Sequence, residues 1–129
     1  MTAPTSEARD ALFKTFGRAW FKRDVDLLYE AVTPDFQWRG LDSSGAVRLI
    51  STRDGVAEAF RSMATSPLKV RFEDVAYHHA PDASFMTFRI IETDPATGKS
   101  REDVGVERYT FRDGRIAVKD VYRKPVRGD

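Results

Sequence analysis

The sequence contains no cysteine, and this absence excludes several kinds of site at once. Disulfide bonds, thiolate-bound zinc, iron–sulfur clusters and cysteine nucleophiles all need a thiol. Histidine is almost as scarce, since the two residues His78 and His79 are all that the chain has. Neighbouring residues of a strand point to opposite faces, so these two imidazoles are not expected to chelate one ion. We therefore expect neither a metal site nor a cofactor.

The sequence also lacks long apolar runs and a charge excess. No stretch approaches the roughly 20 apolar residues that cross a membrane, and residues 1–11, which include Glu7 and Asp10, do not resemble a signal peptide. Lysine and arginine number 21 against 20 aspartate and glutamate, a formal net charge of +1. No strong field then attracts nucleic acid or an anionic membrane. We expect a cytoplasmic protein that binds neither of these partners.

What the chain does have is enough apolar material for one core. Of its 129 residues, 41% are hydrophobic, and nine Phe, four Tyr and two Trp supply large packing groups. A chain of this length and composition folds without covalent cross-links. We predict a single domain over residues 1–129, with an ordered core of about 6–124.

Three segments repeat their apolar residues at helical spacing, and each begins with a residue that can cap a helix. The predicted caps are Ser6, Asp24 and either Ser51 or Thr52. The second helix is expected to end at Thr33-Pro34 and the third before Pro67, because the residue before a proline leaves the helical region.

The remaining segments favour β-strands. Two short strands, 35–40 and 46–50, flank a turn at 42–45, and the strand pattern returns at 68–79, 84–92, 102–112 and 115–124. The last four strands form a meander. Helices segregated from an antiparallel sheet predict an α+β fold, and neither G-x-G-x-x-G nor G-x-x-x-x-G-K-[ST] is present to indicate a phosphate-binding loop.

Three runs of residues resemble a known family. Residues 33–38 (TPDFQW), 105–116 (GVERYTFRDGRI) and 119–122 (KDVY) are similar to the nuclear transport factor 2-like superfamily, especially its SnoaL-like branch. The resemblance implies a cystatin-like cone, in which a curved antiparallel sheet wraps around the N-terminal helices. It also implies a pocket at the open end of the cone and a homodimer formed through the sheet.

Most of the catalytic residues known in this superfamily have no counterpart in this sequence, and function varies among its members. In the ketosteroid isomerase branch a tyrosine and an aspartate base act at the positions that Phe16 and Gly40 occupy here. The limonene epoxide hydrolase branch uses an Arg-x-Asp, of which Arg89 matches while Ile91 replaces the aspartate. In SnoaL-like cyclases an aspartate on the last strand is acid and base, and Asp120 is its counterpart.

The final hairpin supplies a catalytic hypothesis of its own. If Asp113-Gly114 forms a two-residue type I′ turn, Glu107 and Asp120 lie opposite each other on an otherwise apolar face. Desolvation and mutual repulsion would then raise the pKa of at least one carboxyl group, which favours proton transfer. Asp120 and Glu107 are therefore the predicted catalytic residues.

A slipped register remains an alternative. If the turn is a three-residue loop with a bulge, Glu107 faces Lys119 in an ordinary ion pair between neighbouring strands. In the first register, by contrast, Lys119 lies on a basic outer face. The full set predicted for that face is Arg108, Arg112, Arg115, Lys119 and Arg123.

Six residues are predicted to bind a ligand. They are Trp20, Trp38, Phe60, Arg89, Tyr109 and Tyr122. The aromatic members could line a pocket for a small hydrophobic or amphipathic ligand, although such a stripe is also typical of plain core. Arg89 could anchor an anionic ligand or pair with an acidic residue across the sheet, and we favour the pair.

The sequence thus predicts a SnoaL-like small-molecule-binding protein that acts as an acid–base lyase, isomerase or cyclase. The alternative is a non-catalytic ligand carrier or a dimeric interaction module. The outer sheet face favours a homodimer, because four small or apolar residues alternate there with basic ones. These residues are Val106, Thr110, Ala117 and Val121.

Overall fold

The computed structural model describes residues 3–41 and 46–126. The elements in chain order are α1 (Ser6–Lys22), α2 (Val25–Ala31), β1 (Val32–Leu41), β2 (Val47–Ile50), α3 (Arg53–Thr65), β3 (Lys69–His79), β4 (Ser84–Thr93), β5 (Ser100–Arg112) and β6 (Arg115–Val126). The turn predicted at 42–45 lies outside the described residues. This order of helices and strands is that of the predicted α+β fold.

Each helix begins at a side-chain cap. The hydroxyl of Thr5 accepts from the backbone N–H of Ala8, so α1 is capped one residue earlier than predicted. The predicted caps Asp24 and Thr52 are confirmed, because each accepts a backbone N–H of the first turn that follows it. Helix α2 ends before the predicted Thr33-Pro34, since β1 already starts at Val32 and continues through the proline.

The strands form one open, curved sheet in the order β2-β1-β6-β5-β4-β3. Neighbouring strands run antiparallel with one exception among the described residues, since β1 and β6 are parallel. The expected wholly antiparallel sheet is corrected at this pair. A hairpin forces its strands to be antiparallel, whereas β1 reaches β6 from α2 and is free to run in the same direction.

The core lies between α1 and the concave face of the sheet. The rings of Phe13 and Phe16 meet Tyr109 of β5 edge-on, with centroids 4.8 and 5.6 Å apart. Trp20, one turn further along α1, meets Phe60 of α3 in the same way at 5.0 Å. The prediction that Phe16 and Trp20 pack beneath the final hairpin is confirmed, because Phe16 contacts Tyr109 of β5 and Trp20 contacts Lys119 of β6.

The final hairpin begins as predicted and then changes register. Asp113 and Gly114 both have positive φ, at 54° and 77°, as a type I′ turn requires. Phe111 lies opposite Ile116, but the next pair is Thr110 with Val118, so β6 contains one extra residue. This β-bulge at Ala117 shifts every later pair by one.

The bulge reverses the faces of β6, because strand side chains alternate and one inserted residue inverts the alternation. Glu107 lies opposite Val121, and Asp120 lies opposite Arg108. The predicted apposition of Glu107 and Asp120 is therefore wrong. Lys119, Val121 and Arg123, which the first register assigned to the outer face, belong to the concave face.

Among the helices of the described residues, none combines the length and apolar character needed to cross a membrane.

Candidate functional site

Three polar side chains meet on the concave face, and we call them the Lys119 cluster: Lys119, Glu107 and Tyr109. Lys119 Nζ lies 3.8 Å from Glu107 Oε2, and the two side chains are only 6% and 7% exposed. The hydroxyl of Tyr109, itself 1% exposed, donates to Glu107 Oε1. A cation, a carboxylate and a phenol are thus in contact away from bulk water.

The strand pattern explains why these side chains meet. Glu107 and Tyr109 are two residues apart on β5, so they point to the same face. The bulge at Ala117 then places Lys119 opposite Tyr109 and beside Glu107. The ion pair of the alternative register is therefore present, although its cause is a bulge in β6 rather than a longer turn.

Aromatic rings enclose the ammonium group of Lys119. Its Nζ lies 3.4 Å from the ring centroid of Trp20, 5.1 Å from that of Trp38 and 5.6 Å from that of Phe16. Trp38 of β1 is the direct neighbour of Lys119 across the parallel pair. Ring faces attract a cation, most strongly where water is excluded.

Burial and neighbouring charges set the protonation of the cluster. Burial lowers the pKa of Lys119 to about 8; the Glu107 carboxylate opposes this shift, and the positive charge of Arg23 adds to it. Burial and the Glu107 carboxylate hold the pKa of Tyr109 well above its usual range. Lys119 can therefore give or take a proton near neutral pH, whereas Tyr109 remains a hydrogen-bond donor.

Beside the cluster, the concave face is open at Gly40 and is filled by the ring of Phe88 at Gly105. Gly40, Val121 and Gly105 lie there, and each is partly exposed. A Cβ added at Gly105 would lie 2.5 Å from Cζ of Phe88 and 2.7 Å from a backbone carbonyl oxygen, so only glycine fits. A Cβ at Gly40 would find its nearest neighbour at 3.8 Å, in Val121, so there is room above this position.

Two open grooves lie elsewhere on the described surface. One, of about 470 Å³, separates the α1–α2 corner from α3 and includes Arg23 and Phe60 in its lining. The other, of about 360 Å³, lies between α1 and β3 and includes Asp10 and Tyr77. Neither is lined by Lys119 or Glu107. A pocket in front of the Lys119 cluster stays a prediction.

Four of the six predicted ligand-binding residues lie together. Trp20 contacts Trp38, with centroids 4.6 Å apart, and also contacts Phe60. Tyr109 belongs to the Lys119 cluster. Tyr122 does not join them, since the bulge directs it to the outer face, where it is 55% exposed.

The predicted catalytic residue Asp120 and the predicted ligand-binding residue Arg89 also lie on the outer face. Asp120 is partly exposed there and accepts a hydrogen bond of 2.9 Å from the hydroxyl of Tyr122. It lies beside Arg108 of β5, away from the aromatic side of the sheet. Arg89 pairs with Glu102 at 2.5 Å and with Asp74 at 3.4 Å, so the favoured ion pair is confirmed.

The two histidines have separate partners. His79 lies 2.8 Å from Asp10 and 2.7 Å from Ser84, whereas His78 contacts Thr87 at 3.1 Å. The two imidazoles thus sit on opposite faces of β3. In the parts of the chain that the structure describes, no group of three His, Asp or Glu side chains is placed to hold a metal ion.

Lys119 is the residue that the sequence did not nominate for the site. The sequence analysis placed it on the basic outer face in the first register and opposite Glu107 in the alternative register, and in neither as a catalytic residue. The sequence does contain a feature that indicates the correct register. In the first register Lys119 lies on the outer face, so Glu107 has no cation near it on an otherwise apolar face. Carboxylates that are buried are normally paired, so this pattern favours the register with Lys119 inside.

The chain belongs to the family of SnoaL-like domains, which matches residues 13–119. Its fold is similar to that of nuclear transport factor 2-like proteins. A nuclear transport factor 2-like protein from Burkholderia xenovorans superposes with a TM-score of 0.75 at 15% identity, over 93% of this chain and 92% of that one.

Two further structures are similar in fold. An LEH-like epoxide hydrolase from Mycobacterium tuberculosis has a TM-score of 0.67 at 15% identity, over 94% of this chain and 86% of its own. A protein proposed to be a polyketide cyclase, from Xanthomonas campestris pv. campestris, has a TM-score of 0.69 at 15% identity, over 90% of each chain. No curated protein matches the sequence.

Proposed function

We propose that the chain binds a small hydrophobic or amphipathic molecule on the concave face of the sheet and performs acid–base chemistry on it. Lys119 is the group that exchanges the proton, Glu107 is its carboxylate partner, and Tyr109 holds Glu107 in place. The surrounding rings of Trp20 and Trp38 supply the apolar contact surface. Lyase, isomerase and cyclase reactions all need such a proton transfer.

The observation that carries this proposal is the burial of Lys119 and Glu107 as a pair, each less than a tenth exposed. Removing two charges from water costs several kcal/mol per ion, and well-packed apolar residues often replace such a pair without loss of stability. A role in folding therefore explains the pair poorly. Ionisable groups with shifted pKa values are concentrated at functional sites.

The similar folds support a small organic ligand. One of the similar structures is an epoxide hydrolase, and another is a proposed polyketide cyclase. Both names describe reactions of small organic molecules. The proposal differs from the sequence prediction in its main residue, because the catalytic role moves from Asp120 to Lys119.

Binding of 1-anilinonaphthalene-8-sulfonate, a small amphipathic anion, tests the proposal. The chain has two tryptophans, Trp20 and Trp38, and both touch Lys119. We expect saturable binding with energy transfer from these rings. Because Lys119 loses its charge above a pKa of about 8, affinity should fall at least about tenfold between pH 7 and pH 10.

Two variants sharpen this test. Lys119→Met should remove the pH dependence, whereas Lys124→Met, which changes an exposed lysine of the same strand, should retain it. The proposal fails if the probe does not bind saturably near the tryptophans. It also fails if Lys119→Met shows the pH dependence of the unmodified chain.

A non-catalytic ligand carrier is the second candidate. Phe16 and Gly40 lack the acid and base that the ketosteroid isomerase branch has at the corresponding positions, and this observation favours binding without chemistry. The same concave surface would then hold the ligand. Pronounced binding of the probe with no dependence on the protonation of Lys119 would favour the carrier.

We also propose a homodimer formed through the outer face of the sheet. Leu41, Val47 and Leu49 are 64%, 80% and 53% exposed on the outer face of β1 and β2, and Tyr122 is exposed on β6. Together they extend the apolar surface that the sequence predicted around Val106. An exposed apolar area of this kind is typical of protein interfaces.

Light scattering at micromolar concentration should give a dimer mass for the unmodified chain. Leu49→Lys should shift it towards the monomer, because a charge would be buried at the interface. Phe21→Ser, which alters a residue 87% exposed on α1, is the matched control and should leave the mass unchanged. A monomer mass that persists as concentration rises would contradict the dimer.

A further inference from the structure

We propose that Lys119 is a nucleophilic amine that forms an imine with a small aldehyde or ketone held on the concave face. The inference rests on the proposed function, because it requires a ligand to bind beside the Lys119 cluster. It goes further by naming the class of substrate, a carbonyl compound, and the bond that forms.

The surroundings of Nζ favour an amine that can lose its proton. Rings of Trp20, Trp38 and Phe16 cover it and exclude the water that would otherwise solvate the ammonium. Glu107, at 3.8 Å, is the carboxylate that can take the proton. Lysines become nucleophiles where they are desolvated in an apolar site or lie near another cation.

A second cation is present as well. Arg23 follows α1 with a left-handed backbone, and its guanidinium donates to the carbonyl oxygen of Trp20 at 2.7 Å. Its charge disfavours the ammonium form of Lys119. Among the described residues, Arg23 has no carboxylate within ion-pair distance to neutralise that effect, so both conditions for an activated lysine are met.

Space for the carbonyl group lies on the same face. Gly40 and Val121 adjoin Lys119 on β1 and β6, and a Cβ added at Gly40 would find its nearest neighbour 3.8 Å away, in Val121. Both residues are partly exposed. A small molecule resting above Gly40 and Val121 would lie beside Lys119 on the same face of the sheet.

The reaction balances with the groups at hand. The ammonium of Lys119 passes a proton to Glu107, and the neutral amine attacks the carbonyl carbon, so that a C–N bond forms. Glu107 returns its proton to the carbonyl oxygen, which becomes a hydroxyl group. A proton leaves nitrogen for Glu107 and is delivered to this hydroxyl, which departs as water. The product is a protonated imine beside the Glu107 carboxylate, and no oxidant or reductant is consumed.

The cluster also suits the product. A protonated imine carries the same single positive charge as the ammonium that it replaces. It would therefore retain the carboxylate of Glu107 and the ring faces of Trp20 and Trp38 as neighbours. A protonated imine withdraws electrons from the adjacent carbon, which is the property that a lyase or isomerase exploits.

Reductive trapping tests the proposal directly. Benzaldehyde and sodium cyanoborohydride at about pH 7.5 convert an imine to a stable benzylamine, which adds about 90 Da to the modified lysine. Mass spectrometry of proteolytic peptides assigns the site. We expect Lys119 to be modified at least about tenfold faster than Lys124, which is exposed and ordinarily protonated at this pH.

Variants and competing outcomes complete the test. Glu107→Gln removes the group that takes and returns the proton, so it should slow the modification of Lys119 even though the amine is then more often neutral. Lys119→Arg should abolish modification at position 119, whereas Lys124→Arg should leave the modification of Lys119 unchanged. Modification confined to exposed lysines or the amino terminus overturns the imine. If that result accompanies pH-dependent binding of 1-anilinonaphthalene-8-sulfonate, the proposed function stands and the covalent step alone is wrong.

Discussion

Replacing Glu107 by glutamine is expected to lower the free energy of unfolding by about 3 kcal/mol or more at pH 7. The change keeps an oxygen to accept the Tyr109 hydroxyl, so this hydrogen bond survives. It removes the carboxylate 3.8 Å from Lys119, whose side chain is 6% exposed. The buried ammonium of Lys119 is then left with aromatic ring faces and the repelling charge of Arg23. The loss of its carboxylate partner is what lowers the stability. Chemical denaturation measures it.

A double-mutant cycle separates the pair from the other effects of each change. Glu107→Gln and Lys119→Met together should cost less than the sum of the two single changes, with a coupling of about 2 kcal/mol. The exposed pair of Glu58 and Arg61 on α3, whose side chains are 70% and 69% exposed, is the control and should couple by about 0.5 kcal/mol or less. Equal coupling in both pairs would contradict a buried ion pair.

The sign of the pH dependence follows from Lys119. Its pKa in the folded chain, about 8, lies below the ordinary value of 10.5. Between these values the unfolded chain binds more protons than the folded one, so the Lys119 contribution to stability increases as the pH rises. Glu107→Gln removes the group that raises this pKa, so the deficit of that variant should shrink as the pH is raised from 7 to 9. A constant deficit would exclude Lys119 as its cause.

Local sequence determined most of the secondary structure, because its causes lie within a few residues. Asp24 and Thr52 cap their helices from positions directly before the apolar residues of each helix, and this pattern is visible in the sequence. The Asp113-Gly114 turn has the positive φ values that these two residues tolerate. Such features need no information about the rest of the fold.

The bulge at Ala117 could not be predicted in the same way. The bulge determines which side chains of β6 point towards the core after the turn. The contacts that select these side chains come from α1 and β1, not from the hairpin itself. Lys119 moves inside because Trp20 and Trp38 cover it and Glu107 lies beside it. The aromatic part of the candidate site was therefore predictable from spacing, whereas the position of Lys119 beside Glu107 depended on one inserted residue.

Arg9 is a second residue whose role only the fold could disclose. It is 4% exposed, and its guanidinium donates to the backbone carbonyl oxygens of Pro4, Ala80, Pro81 and Ala83 at 2.6–3.2 Å. It also donates to the hydroxyl of Ser84 at 3.1 Å. Acceptors from the turn between β3 and β4 thus fix the start of α1 against the sheet.

Replacing Arg9 by methionine should lower the free energy of unfolding by about 3–5 kcal/mol, because the buried Ala83 carbonyl and Ser84 hydroxyl and three part-buried carbonyl oxygens lose their donor at once. Arg9→Lys should recover only part of this loss, since one ammonium cannot reproduce the planar fork of a guanidinium. Arg18→Met, at an exposed position of the same helix, should cost less than about 0.5 kcal/mol. Helix α1 also carries Phe16 and Trp20, so the Arg9 variant should weaken pH-dependent probe binding as well. A variant with normal stability would show that the core packing of α1, and not this arginine, holds the site together.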